Sequence, residues 1–94
     1  MRKFTFECDD SYEAEKLASM ATLQKDGSFW ISGVAAIVGK EIVLQLKDRS
    51  SHSIVMKNDS EAKSLRALLL EIVDGRLTVT ASESTGMNAD ITVS

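Results

Sequence analysis

The sequence predicts an α+β fold, a mainly antiparallel sheet with a central three-strand meander and two helices, and three observations carry that expectation. Between Ser28 and Lys57 three apolar runs follow one another with short breaks. The middle one sets Ile42, Leu44 and Leu46 against Val43, Gln45 and Lys47, the period of a half-buried strand. Two further stretches repeat apolar residues at helical spacing, each behind Asp, Asn and Ser residues able to cap a helix. Finally, 94 residues with no proline, no low-complexity run and no internal repeat read as a single domain, 1–94.

In chain order, Lys3 to Cys8 alternates with Phe4, Phe6 and Cys8 on one side and reads as the opening strand. Asp9, Asp10 and Ser11 then offer side-chain oxygens to the free N–H groups of a first helical turn. On the helix that follows, Ala14, Leu17, Ala18 and Ala21 share a face with Met20 at its margin, and Asp26 and Gly27 supply a stop. The meander's first two strands meet across Gly39 and Lys40, where glycine first suits a type II′ turn. That register sets Ile37 opposite Ile42 and Ala35 opposite Leu44, with Ile31 on the same side. A bulge at Gly33 would swap the sides of Phe29, Trp30 and Ile31.

Parity requires three or five residues between the second and third meander strands, so that Ile54 and Met56 share the side of Ile42 and Leu44. Asn58, Asp59 and Ser60 cap the second helix, whose stripe is Ala62, Leu65, Leu69 and Ile72, flanked by Leu68 and Val73. Leu70 points away, and Gly75 ends the helix. Leu77, Val79 and Ala81 face inward from the next strand, and Asp90 to Val93 returns beside it as a hairpin. The order is β-α-β-β-β-α-β-β.

No apolar run reaches membrane-helix length, and the start shows no secretory signal, so a soluble cytoplasmic chain is expected. The net charge of -3 argues against a general nucleic-acid binder. Cys8 is the one cysteine and reads as a core residue, because Glu7, Asp9 and Asp10 beside it oppose a thiolate. His52 in SSHS lacks an orienting partner in sequence and reads as structural. The acidic residues Glu7, Asp9, Asp10 and Glu13 are explained by helix capping without a metal, and GVAAIVGK lacks Walker A spacing. No catalytic residue, metal or cofactor is expected.

From Ser11 to Asp74 the order helix, three strands, helix resembles the double-stranded RNA-binding domain, and EAKSLRALLL is similar in outline to that family's last helix. Where the family carries a lysine-rich helix start, this chain has Asp59, Ser60, Glu61 and Lys63, so the resemblance implies no phosphate contact.

The expected function is therefore a small non-enzymatic protein-binding module of the inhibitor, immunity or accessory-subunit type, such as phages and mobile elements encode. Its partner is another protein or a second copy, so a homodimer or larger homo-oligomer is expected. The binding surface would be the second face of the meander, with Trp30, Val34, Ala36, Val38, Val43 and Val55 at the centre and Lys47 and Lys57 on the rim. Two alternatives stand beside it: a nucleic-acid module using Lys47, Arg49, His52 and Lys57, and a small enzyme of unknown type.

Overall fold

A computed structural model describes residues 1–94. The elements are β1 (Arg2–Glu7), α1 (Ser11–Met20), β2 (Ile31–Val38), β3 (Glu41–Leu46), β4 (Ser51–Val55), α2 (Asp59–Val73), β5 (Val79–Thr85) and β6 (Asn88–Val93), so the expected α+β order holds. Asp10 caps α1 by accepting from the Glu13 N–H at 2.9 Å, and Asn58 caps α2 by accepting from the Glu61 N–H at 2.9 Å. Gly39 opens the β2–β3 turn at φ +61°, the left-handed conformation that a type II′ turn places first. Leu46 donates to the Ser50 carbonyl, which leaves Lys47, Asp48 and Arg49 as a three-residue turn and keeps Ile54 opposite Ile42.

All strand pairs are antiparallel, but the strands form two sheets, β1-β6-β5 and β2-β3-β4. The sheets meet only where β1 and β4 end, at a bridge between Cys8 and Met56. There Lys57 donates to the Glu7 carbonyl and Asp9 to the Val55 carbonyl, each at 3.0 Å. Both sheets and both helices close on one core, which includes Leu17, Ile42, Leu44, Leu65, Leu69 and Ile91. Helix α1 packs chiefly on β5 and β6, and α2 chiefly on β2.

Contrary to the expectation of no internal repeat, the architecture is a duplication. β1-α1-β2-β3 matches β4-α2-β5-β6, with Cys8 in the place of Met56, Asp10 of Asn58, Leu17 of Leu65, and Asp26-Gly27 of Asp74-Gly75, all 48 positions apart. Strand β2 has a bulge between Ile31 and Gly33 that β5 repeats between Val79 and Ala81. It then has a second, between Val34 and Ala36, that β5 lacks. Ala35 is thus an extra residue, and beyond it the spacing falls by one, so that Gly39 (φ +61°) matches Gly86 (φ +59°).

The duplication binds its halves to each other through two glutamates. Glu13 and Glu61 sit at the third position of their helices, where a capping-box glutamate turns back to its own N-cap. Each reaches across the junction instead: Glu13 Oε1 accepts from the Val55 N–H at 2.7 Å, and Glu61 Oε2 from the Glu7 N–H at 3.1 Å.

Four further expectations need correction. Helix α1 ends at Met20, before Asp26 and Gly27, because Leu23 pairs with Phe29 and the Asp26 carboxylate holds Ser28 in a turn between them. The two bulges in β2 put Val34, and not Ala35, opposite Leu44, so Ile31, Val34 and Ile37 face inward. The bulge in β5 leaves Ala81 exposed. Val73, placed beside the α2 stripe, is exposed to 37%.

Candidate functional site

The outer face of β2-β3-β4 was expected to carry the contact surface, and the bulges redraw it. Val34 belongs to the inner side, and Trp30 is half-buried against the core, held at the strand start by its N–H to the Thr22 carbonyl and its carbonyl from the Lys47 N–H. Ala36 and Val38 remain exposed, Val38 to 72%, and Val43 and Val55 are half-buried. Register places Val43 between Ala36 and Ser53, and Glu41 between Val38 and Val55. Along β3 the outward row runs Glu41, Val43 and Gln45 and is followed by Lys47 in the turn, acidic at one end and basic at the other.

The sister sheet shows what the fold requires at these positions. Glu83 stands where Ala36 does, Thr85 for Val38, Asp90 for Val43 and Glu7 for Val55. Thr5 donates to Asp90 Oδ1 at 2.6 Å on that face, and Lys57 pairs with Glu7 at 2.7 Å. The architecture therefore accepts a fully polar outer face, and the apolar one on β2-β3-β4 is not imposed by packing.

Of the four residues considered for nucleic acid, Lys47, Arg49 and His52 lie at the β3–β4 turn, and Lys57 lies at the far end of β4, bound to Glu7. Asp48 sits inside the turn group. Its carboxylate accepts from both the Ser50 N–H and the Ser50 hydroxyl, contacts that hold its pKa below the ordinary 3.8. Ser50 Oγ also lies 3.0 Å from His52 Nε2. With the serine proton directed at Asp48, the oxygen accepts from the imidazole, the reverse of the direction in which histidine activates a serine. Arg49 occupies the left-handed region at φ 71°.

Cys8 is fully buried, its Sγ 3.9 Å from Met56 Sδ, and burial together with Glu13, Glu61 and Asp10 pushes its thiol up to about 12. Around it Asp9 pairs with Lys40 at 3.3 Å, Asp10 is the cap, and Glu13 is bonded across the junction. No three His, Cys, Asp or Glu side chains gather as a metal-binding group.

A feature absent from the sequence reading is a groove of about 620 Å³ between β1 and α2, with Phe4, Phe6 and Leu68 along it and Arg2, Arg76 and Glu71 among its polar residues. It exists because β1 pairs with β6 on one edge only, a fact of strand order. No helix is long and apolar enough to cross a membrane. Comparison with protein-family models, curated proteins and solved structures finds no match.

Proposed function

We propose that this chain is a non-catalytic protein-binding module that pairs with a second copy of itself through the outer face of β2-β3-β4. The observation that carries the reading is the contrast between sister sheets, with Ala36, Val38, Val43 and Val55 on one and Glu83, Thr85, Asp90 and Glu7 on the other. Apolar residues kept in water where the fold tolerates charge suit a contact surface. The charge order along β3 supports a twofold partner. In an antiparallel apposition, Glu41 of each copy meets Lys47 of the other, and Val43 of each meets Gln45 of the other beside the twofold axis. Two bulges break the ladder of β2, which favours face-to-face packing over edge pairing.

The test transplants the sister sheet's residues. Ala36→Glu with Val43→Asp keeps the fold, as Glu83 and Asp90 do at the matching positions, and abolishes association measured by sedimentation equilibrium. A wild-type chain that stays monomeric at every concentration reached, with the same sedimentation profile as the double variant, would remove the reading.

A further inference from the structure

We propose that the groove between β1 and α2 binds an extended peptide that adds to the free edge of β1, with a carboxylate at the end beside Arg2 and Arg76. This site is separate from the sheet face described above and rests on different residues. Cys8 donates to the Met87 carbonyl, so Phe6, Phe4 and Arg2 direct their backbone groups to β6, while Lys3, Thr5 and Glu7 direct theirs to the opposite edge. At that edge Glu7 is satisfied by Glu61 and Lys57. The N–H and C=O groups of Lys3 and Thr5 make no hydrogen bond within the chain. The strand that would have continued beside them turns away at Asn58 to become α2, and the groove is the space this leaves.

A free edge flanked by an apolar groove is the arrangement for strand addition, in which backbone bonds give affinity and pockets for alternate side chains give specificity. Phe4, Phe6, Ala67 and Leu68 line such a pocket. Arg2, at the start of β1, and Arg76, in the α2–β5 connection, put two positive charges against one from Glu71 at the same end. The Arg2 guanidinium stacks 4.9 Å over Phe4, and Arg76 lies 3.4 Å from Glu71. A segment antiparallel to β1 brings its C-terminal end to these arginines. The duplication again supplies the contrast: at the matching positions of the other half, Arg2, Phe4, Ala67 and Arg76 become Ser50, His52, Ser19 and Ser28.

The test selects a library of random peptides with free C-termini on the full chain, then measures the enriched peptide by fluorescence anisotropy and by amide shifts at Lys3 and Thr5. The expected peptide alternates apolar residues. Amidation of its C-terminus and Arg76→Glu each weaken it roughly tenfold, the size of one charge-assisted contact, and Ala67→Glu, which puts a carboxylate into the apolar groove, weakens it as well. Thr5→Pro removes an edge N–H that the fold does not use and weakens binding at least as much, whereas Thr5→Val, which loses only the hydroxyl, leaves it intact. The Ala36→Glu, Val43→Asp chain still binds the peptide, which separates this site from the sheet face. Three results overturn the proposal: no enriched sequence, a peptide indifferent to Thr5→Pro and Ala67→Glu, or groove amides that respond to dodecanoate and to no peptide, which would make the groove an acyl-chain site.

Discussion

At the scale of single residues, burial and hydrogen bonding decide the chemistry open to each group. Cys8 holds its proton to about 12 because burial and three nearby carboxylates penalise the thiolate. Its folded pKa lies above the ordinary 9.0, so the folded state binds the proton more tightly. The stability this contributes is complete below pH 9 and is lost as pH rises from 9 towards 12. Denaturant melts across that window should fall more steeply for the wild type than for Cys8→Ala, and a thiol reagent at pH 8 should label Cys8 only after unfolding. Asp26 and Asp48 shift the other way, each lowered first by the hydroxyl and then by the N–H of the serine two residues on. Their contribution is present above pH 3.8 and lost as pH falls through the lowered values. Carboxyl-carbon titrations by NMR should place both midpoints below 3.8, and Ser28→Ala and Ser50→Ala should return them towards it.

At the scale of elements, what could be read from the sequence was what depends on neighbours in the chain. The caps at Asp10 and Asn58, the stripe from Ala62 to Ile72 and the Gly39 turn are fixed by local spacing, and the structure has them as expected. The bulges were not legible beyond the glycine at Gly33, because a bulge exists only relative to a partner strand and nothing local marks Ala35 as the added residue. Deleting Ala35 should therefore leave Ile31, Val34 and Ile37 inward and change stability by less than about 1 kcal/mol, as β5 manages without the second bulge. Deleting Gly33 removes the bulge the two halves share and should cost more. The cross-junction glutamates were hidden for a related reason. Their spacing from the caps signals a capping box, and only the tertiary fold redirects them. Glu13 is buried and Glu61 half-exposed, so Glu13→Ala should cost roughly 2 kcal/mol and Glu61→Ala about half of that in thermal melts.

The whole molecule is two interlocked copies of one β-α-β-β unit, and the exchange of strands between them sets how it folds. β1 of the first copy completes the sheet of β5 and β6, and β4 of the second completes the sheet of β2 and β3. Each half alone would leave a two-stranded hairpin, a detached strand and a helix without its full cover, too little buried surface for independent stability. The halves join through the exposed turn at Asp48 and Arg49, where Arg49 already bears the strain of a left-handed backbone and no core residue is involved. A chain cut there should lose little beyond the entropy of the link. Fragments 1–48 and 49–94, prepared separately, should each be unfolded by circular dichroism and should regain the native spectrum on mixing at a one-to-one ratio. Glu13→Ala in the first fragment should weaken the complex, because the Val55 N–H it serves lies in the second. A first fragment that folds alone, or a pair that fails to combine at millimolar concentration, would show that the halves are not bound in this interlocked way.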